Sequence, residues 1–231
     1  MKLSVVIPVY NEKGTILELL LRVEKAELPA GWSREIIIID DCSTDGTGEL
    51  LKGVRHRVLR HARNQGKGAA LRDGFAVATG DVILVQDADL EYSPDEYKSI
   101  IQPFSAGDVD VVFGYRRIRM NRLTDPLIMH YFGNKFLTLA TNIIYGSRLK
   151  DMETCYKAFR RGLLEKITFE SNRFDFEPEF TAKVLKGRYR LVQVPVQFNP
   201  RSVAEGKKIS WKDGLVALWV LVKLRFSSRR F

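Results

Sequence analysis

The chain has 231 residues and a formal net charge of +9, with the apolar and aromatic content of a globular protein. Two cysteines, Cys42 and Cys155, form neither a disulfide framework nor a zinc pattern, which excludes a small stapled scaffold. We find no signal peptide and no apolar run of about 20 residues, so we expect a reduced, cytoplasmic protein without a membrane-spanning helix. The basic excess favours a phosphate-bearing partner.

The first half of the sequence alternates predicted strands and helices. Continuous apolar runs predict strands at residues 3–9, 35–40, 57–60, 82–85 and 109–113. Helical spacing predicts helices at residues 15–26, 47–53 and 67–78, and Ser93-Pro94 marks the start of another. Buried strands that alternate with helices indicate an α/β fold with a mostly parallel central sheet and helices on both faces.

The second half departs from this alternation. Residues 126–145 are apolar and aromatic with few charges, and residues 161–167 and 177–185 have helical patterns. Residues 189–198 alternate as a strand does, and Pro195 within them indicates the edge of a sheet. A polar, basic segment at 199–210, expected to be mobile, precedes a predicted final helix at 211–225.

Acidic residues follow three of the predicted strands, at Glu12, Asp40-Asp41 and Asp87-Ala88-Asp89. Because ligands bind beyond the carboxyl ends of parallel strands, these clusters should share one rim. Carboxylates gathered there repel each other, and a divalent cation or a set of donors must offset them. Asp87 and Asp89 suit Mg²⁺ or Mn²⁺, which prefer oxygen ligands and bridge substrate phosphates. Any one cluster could equally cap a turn or a helix.

Two further motifs each leave two interpretations open. Asp40-Asp41 and the following residues up to Thr47 have the composition of a tight turn, which could also aim a carboxylate at N–H groups of a nucleobase. Asn64-Gln65-Gly66-Lys67-Gly68 looks like a phosphate loop but lacks the spacing of a Walker motif. It could instead be a flexible entry to a helix.

Taken together, four motifs resemble those of family 2 glycosyltransferases. They are residues 6–12 (Val-Ile-Pro-Val-Tyr-Asn-Glu), 40–47, 64–68 and 87–89, in that order and spacing. Residues 151–157 (Asp-Met-Glu-Thr-Cys-Tyr-Lys) and 199–209 are similar to the polyprenyl-phosphate (dolichyl-phosphate) mannose and glucose synthases. The resemblance implies a GT-A fold and inverting transfer of mannose or glucose from a GDP- or UDP-sugar to a polyprenyl phosphate.

The resemblance also implies roles for individual residues. The donor nucleotide sugar would be held by a set on the rim, namely Pro8, Tyr10, Glu12, Asp41 and Asp87, together with Lys67, and a metal by Asp89. Glu91 stands where many members have Gln, so it could add a metal ligand or point elsewhere. Asp151 matches a position often assigned as catalytic base, or it orients other groups. Arg201 could close over the diphosphate charge.

The acceptor phosphate and the membrane need further contacts. Arg116, Arg117 and Arg119 follow the predicted fifth strand, and we expect Arg117 to bind the acceptor phosphate. Residues 126–145 and the basic amphipathic helix 211–231 suit an anionic membrane surface, or else pack on the sheet or form a homo-oligomer interface. We therefore predict a catalytic domain at 1–210, with a donor half at 1–115 and an acceptor half at 116–210, peripheral on the cytoplasmic face.

Two competing functions remain open at this stage. A glycosyltransferase with the same donor site could use a soluble glycan or a protein as its acceptor. A nucleic-acid-binding module would account for the basic charge, but strands that end in acids repel phosphate, and no nucleic-acid motif is present. We therefore expect no nucleic-acid partner.

Overall fold

The computed structural model describes residues 1–117, 125–201 and 211–227. The strands are β1 (Lys2–Val9), β2 (Ser33–Asp40), β3 (Arg57–Arg60), β4 (Val82–Val85), β5 (Val111–Arg117), β6 (Lys157–Arg160) and β7 (Leu191–Gln197). The helices are α1 (Ile16–Lys25), α2 (Thr47–Leu51), α3 (Lys67–Val77), α4 (Tyr97–Ser105), α5 (Asp125–Tyr145), α6 (Phe176–Lys186) and α7 (Trp211–Phe226). Short 3-10 turns cover Pro94–Glu96 and Arg161–Glu165.

One seven-stranded sheet organises the fold, in the order β3-β2-β1-β4-β6-β5-β7. Every pairing is parallel except those of β6, which runs antiparallel to both β4 and β5. The mostly parallel sheet is confirmed, and Pro195 lies in the edge strand β7 as predicted. Strand β6 was not predicted, and the helix predicted at 161–167 is a short 3-10 helix at Arg161–Glu165.

Close packing of α3 on the sheet explains its small residues. Strands β1 and β2 carry a run of apolar side chains that are almost fully buried, as expected for a sheet covered on both faces. At Gly74 a Cβ atom would overlap the side chains of Val6 and Ile39. Glycine therefore allows α3 to approach the centre of the sheet, and this helix carries the Lys67 loop at its N-terminus.

The chain turns sharply where three strands end. Asn11, Cys42 and Leu90 have positive φ angles of 54°, 63° and 60°, and each lies within a few residues of the end of β1, β2 or β4. Left-handed backbone is costly for residues other than glycine and is concentrated at functional sites. These turns hold the three acidic clusters on the rim at the carboxyl ends of the parallel strands, as the sequence predicts.

Two helices present apolar side chains to solvent. Phe132, Phe136, Leu139 and Ile143 form a stripe on α5, and Leu215, Trp219, Val222 and Phe226 form one on α7. The helices pack together, and the Tyr145 hydroxyl donates to the Leu221 carbonyl at 2.8 Å. We call these eight residues the α5–α7 face. Within the described ranges, no helix combines the length and hydropathy that crossing a bilayer requires.

Candidate active site

A carboxylate pair on the rim contacts the guanidinium of Arg201. Arg201 Nη2 lies 3.0 Å from Glu12 Oε2 and 3.4 Å from Asp89 Oδ2. Glu12 follows β1 and Asp89 follows β4, so one cation spans two of the acidic clusters. We expected a divalent cation or a set of donors to offset the charge of these acids. Arg201 is one such donor in this structure.

Glu91 fastens the segment that carries Arg201. The backbone N–H of Arg201 donates to Glu91 Oε1 at 2.8 Å, and that of Asn199 donates to the Glu91 carbonyl at 2.9 Å. Phe198 packs against the ring of Tyr92, with ring centroids 5.1 Å apart. Glu91 therefore holds residues 198–201, which we call the Arg201 arm, beside the rim. Its role as a metal ligand stays a prediction. Lys207 and Lys208, in the basic segment predicted to be mobile, lie outside the described residues.

The carboxylate oxygens on the rim fit a metal ion whose other ligands come from a substrate. Among the described residues, no three His, Cys, Asp or Glu side chains converge as a metal-binding group. In this structure Asp87 contacts Lys67, and Glu91 binds the backbone of Arg201. Mg²⁺ and Mn²⁺ nevertheless bind through one or two carboxylates plus substrate phosphates. Asp89, partly exposed and already facing a cation, meets that requirement.

Asp41 organises the loop at residues 64–66. Its Oδ1 accepts from the Gln65 N–H at 2.8 Å and lies 2.6 Å from His61 Nδ1, and its Oδ2 accepts from the Gly66 N–H at 2.7 Å. Asp41 and His61 are both buried. Asp41 thus holds the 64–66 loop in place from the interior, and its contact with a nucleobase stays a prediction. Asp40 behaves as the turn interpretation predicts, since its Oδ1 accepts from the Ser43 N–H at 2.9 Å.

Lys67 joins the rim to α6. Its Nζ lies 2.8 Å from Asp87 Oδ1 and 2.8 Å from Glu177 Oε1. Burial disfavours the charged form, but Asp87 and Glu177 outweigh burial and raise the pKa of Lys67 well above its ordinary value. Lys67 is therefore a fixed internal cation in this structure. If Lys67 contacts the donor phosphate, it would do so while still paired with Asp87 and Glu177.

The glycines on either side of Lys67 are required by a close backbone approach. A Cβ atom at Gly68 would overlap the Ser171 carbonyl, and one at Gly66 would overlap the Asn172 carbonyl. Gly66 also has a φ of 98°, in the left-handed region. These glycines let the loop pack against the segment before α6. No feature of the sequence predicts this contact.

We expect Gly68→Ala to destabilise the protein by about 1–3 kcal/mol, the usual cost of overpacking a tight interior. Gly133→Ala is the matched control, because Gly133 is exposed within α5 and has no atom within 4 Å of the added Cβ. That change should stabilise by up to about 1 kcal/mol through helix propensity. Urea unfolding of both variants measures the difference. Equal stability of the two variants would show that the approach of Ser171 is not tight.

Asp151 and Arg116 form a buried bidentate ion pair. Asp151 Oδ2 accepts from Arg116 Nε at 2.6 Å, and Asp151 Oδ1 accepts from Arg116 Nη2 at 2.8 Å and from Asn134 Nδ2 at 3.0 Å. Burial alone would raise the pKa of Asp151, but the charge and hydrogen bonds of Arg116 lower it below its ordinary value. Such a carboxylate is a poor proton acceptor. Of the two interpretations, the geometry favours an orienting role over that of a base.

A basic cleft of about 570 Å³ opens beside this pair, between β5 and α5. Arg116, Arg117, Lys135 and Lys150 contribute its charge, and Tyr115 and Tyr131 contribute aromatic surface. Strand β5 extends to Arg117, so both arginines belong to the strand rather than follow it, which corrects the predicted end at residue 113. Arg117 lines the cleft as an exposed residue, and its phosphate contact stays a prediction. Arg119 lies outside the described residues.

Most of the predicted donor residues lie on one rim, and Arg117, the predicted acceptor residue, lines the cleft between β5 and α5. Pro8 and Tyr10 lie at the end of β1 beside Glu12, partly exposed. Several residues of the site were not predicted, namely His61, Arg116 as the partner of Asp151, Asn134, Glu153 and Glu177. Glu177 was visible only as the start of a helix, and no pattern in the sequence signals its contact with Lys67.

Comparison with known proteins places this site in a family. The glycosyl transferase family 2 model matches residues 4–168. A dolichol-phosphate mannosyltransferase of Pyrococcus furiosus is 29% identical over 214 residues, which cover 90% of this chain and 59% of that protein. An undecaprenyl-phosphate 4-deoxy-4-formamido-L-arabinose transferase of Klebsiella pneumoniae is 30% identical over 212 residues, which cover 89% of this chain and 62% of that protein.

Solved structures support the same fold. Glucosyl-3-phosphoglycerate synthase from Mycobacterium tuberculosis, in complex with Mn²⁺ and UDP-glucose, aligns with a TM-score of 0.75 at 21% identity, covering 97% of this chain and 78% of that one. At this identity the likeness establishes the GT-A type fold alone. The chain spans about 60% of the length of the two relatives above. Because the family model covers most of the fold and its acidic rim, the chain belongs to glycosyl transferase family 2.

Proposed function

We propose that the protein transfers a hexose, mannose or glucose, from a GDP- or UDP-sugar to a polyprenyl phosphate, with inversion at the anomeric carbon. The observation that carries this proposal is the pairing of an acidic rim with a basic cleft on the same side of the sheet. The names of the two relatives, a dolichol-phosphate and an undecaprenyl-phosphate transferase, favour a lipid phosphate as acceptor.

The rim suits the donor. A nucleotide sugar bound beside Glu12, Asp87 and Asp89 would have its negative charge balanced by Arg201, Lys67 and a divalent ion, Mg²⁺ or Mn²⁺. When bound, the ion stabilises the leaving diphosphate as a Lewis acid. Arg201, which lies beside Glu12 and Asp89, would add a second cation and exclude water next to the diphosphate.

The cleft suits the acceptor. A lipid phosphate has an oxygen that is already ionised, so the transfer needs cations that hold the phosphate more than it needs a base. Arg116 is fixed in direction by Asp151, and Arg117 lies at the open end of the same strand. Arginine recognises phosphate through two parallel N–H groups. This assignment accounts for a carboxylate at position 151 that is buried and ion-paired rather than available as a base.

The α5–α7 face suits contact with the membrane surface, where a polyprenyl phosphate is found. Leu139, one of its members, also lines the cleft, so the apolar stripe runs into the basic site. Lys223 lies over the ring of Trp219, with its Nζ 4.7 Å from the ring centroid. A lipid chain leaving the cleft would meet an apolar surface, while nearby lysines meet anionic headgroups.

We expect the protein to float with anionic liposomes. Phe136→Glu combined with Trp219→Glu should lower the partition coefficient for the liposomes at least about 100-fold, since each buried aromatic contributes about 1.5–3 kcal/mol. Leu21→Glu is the control, because Leu21 is equally exposed but lies on α1, outside the α5–α7 face. A wild-type protein that stays in the bottom fraction would argue for a soluble glycan or protein acceptor, the alternative that keeps the same donor site.

The direct test is incubation with UDP-glucose or GDP-mannose, Mn²⁺ or Mg²⁺, and a polyprenyl phosphate, with detection of the lipid by mass spectrometry. The proposal predicts one hexose added to the lipid phosphate. The same reaction with unphosphorylated polyprenol should give no product. Transfer only to a soluble saccharide or a protein would overturn the acceptor, and transfer from no nucleotide sugar would overturn the function.

A further inference from the structure

Two carboxyl groups between the rim and the cleft each have a buried oxygen without a hydrogen-bond partner in the described structure. They are Glu153 Oε1 and Glu177 Oε2. Glu177 is only 4% exposed, and its other oxygen is held by Lys67. Leaving a buried polar group without a hydrogen-bond partner is unfavourable, and more so for a charged group. Two such oxygens near each other therefore call for a partner that the protein alone does not supply.

The position of the pair identifies the region that such a partner would occupy. Lys67 connects Glu177 to Asp87 on the donor rim. On the other side, the charges of Arg116 and Asp151 act on Glu153, and this ion pair borders the acceptor cleft. A transferred group must lie between its leaving diphosphate and the attacking oxygen, with reacting atoms about 3–3.5 Å apart. Glu153 and Glu177 lie between those two sites.

The charge of this region is unbalanced. Among the residues that the structure describes, four carboxylates interact here with three cations, namely Asp87, Asp151, Glu153 and Glu177 with Lys67, Arg116 and Lys157. Burial, and then the negative charge of Glu177, raise the pKa of Glu153 to about 7. A carboxyl that titrates near neutrality can both donate and accept a hydrogen bond, whereas Glu177, paired with Lys67, is an acceptor.

We propose that Glu153 and Glu177 bind hydroxyl groups of the transferred sugar and so determine which donor sugar the site accepts. This inference rests on the proposed function. The ligand is a sugar that presents two hydroxyl groups toward these oxygens, and an analogue that lacks either one would leave a buried carboxyl oxygen unpaired. Sites built to bond a substrate hydroxyl reject analogues without it far more strongly than apolar pockets reject a missing methylene.

The first test compares a nucleoside diphosphate with the corresponding nucleotide sugar by calorimetry in Mn²⁺ buffer. The probes are UDP with UDP-glucose and GDP with GDP-mannose, and the pair whose sugar the wild-type protein transfers is used. Glu153→Leu and Glu177→Leu should each reduce the preference for the nucleotide sugar over the diphosphate at least tenfold, with diphosphate affinity little changed. Gln at either position should restore most of the preference. Glu165→Leu, at an exposed position, is the control.

The second test needs no variant, so it still tests the inference if the Glu153→Leu and Glu177→Leu proteins do not fold. Deoxy analogues of the transferred donor, each lacking one hydroxyl, are titrated into wild-type protein. At least one analogue should bind at least tenfold more weakly than the parent. Where the variants fold, the Glu153→Leu or Glu177→Leu protein should no longer discriminate against that analogue, which is the coupling expected for a direct contact.

The outcomes separate the two claims. If the variants lose affinity for diphosphate and nucleotide sugar by the same factor, Glu153 and Glu177 only support the fold and the inference is wrong. Equal binding of every deoxy analogue to wild-type protein would also overturn the inference. If that protein still transfers the sugar to polyprenyl phosphate, the proposed function would stand. A wild-type protein that binds no nucleotide sugar would overturn the proposed function and the inference together.

Discussion

Asp89→Asn should lower the rate of sugar transfer by about 10²- to 10³-fold, the effect expected when one charged contributor to stabilisation of the leaving group is lost. Asp89 is a partly exposed carboxylate on the rim that faces a cation in the structure, Arg201. The amide keeps the shape of the side chain but removes the negative charge that would hold a divalent ion. Initial rates at saturating donor, measured over a range of Mn²⁺ concentrations, give the effect. The loss should appear in kcat and should be reduced, though not abolished, at high Mn²⁺.

Asp108→Asn is the matched control for this measurement. Asp108 pairs with Arg190 on the surface, and both side chains are largely exposed, so the same change of charge is made away from the rim. Its rate should stay within about twofold of wild type, since exposed ion pairs contribute little. If Asp89→Asn keeps the full rate and the same Mn²⁺ dependence, the assignment of Asp89 is wrong.

Arg116→Ala should cost about 3–5 kcal/mol of unfolding free energy, because it leaves the carboxylate of Asp151 buried without its counter-charge. Arg116 donates three hydrogen bonds to Asp151, one from the backbone and two from the guanidinium. Arg116→Lys should recover only part of the loss, since an ammonium group cannot make the paired contact. Urea unfolding at neutral pH measures both variants.

The double variant Arg116→Met, Asp151→Leu separates stability from function. Replacing both members of a buried ion pair with apolar side chains is often neutral or stabilising, so unfolding free energy should return toward the wild-type value. Transfer to polyprenyl phosphate should stay low, because the cleft has lost a fixed guanidinium. A double variant that regains both stability and transfer would show that the pair is structural alone and that the acceptor phosphate lies elsewhere.

The same pair predicts a pH dependence with a definite sign. The pKa of Asp151 is lowered in the folded protein, so its stabilising contribution is complete above the unfolded value of about 3.9 and is lost as pH falls through the lower folded value. In urea unfolding below about pH 4, wild-type protein should therefore lose stability more steeply than the double variant. Parallel curves over that range would mean that the pair does not hold Asp151 ionised.

The sheet could be predicted from sequence wherever strands are continuous apolar runs. Strands β1, β2 and β4 are such runs, and a parallel sheet has one rim on which their acidic ends must meet. Strand β6 (Lys157–Arg160) was not predicted, because a four-residue segment with a charged residue at each end has no continuous apolar run. It exists because β4 and β5 offer pairing partners on both sides, which is a property of the assembled sheet.

The candidate site was predictable as a set of acids but not as a network of pairs. The sequence placed Asp87 and Asp89 on the rim, yet it could not reveal that Lys67 contacts Glu177, 110 positions further along the chain. Likewise Arg116 and Arg117 are equivalent in sequence. Alternation along β5 turns only the first toward Asp151, while the second remains exposed. The sequence therefore could not tell which of the two arginines is paired with a carboxylate, and the contact of Arg117 with the acceptor phosphate stays a prediction.

The central claim is that a divalent ion and a diphosphate together complete the negative rim. Calorimetric titration of UDP and of GDP, with and without Mn²⁺, tests it most directly, because coupling between two ligands is reciprocal. The account predicts that Mn²⁺ tightens binding of one of these nucleotides at least tenfold, and that the nucleotide tightens Mn²⁺ by the same factor. Nucleotide affinity that is the same with Mn²⁺ and with a chelator would contradict it.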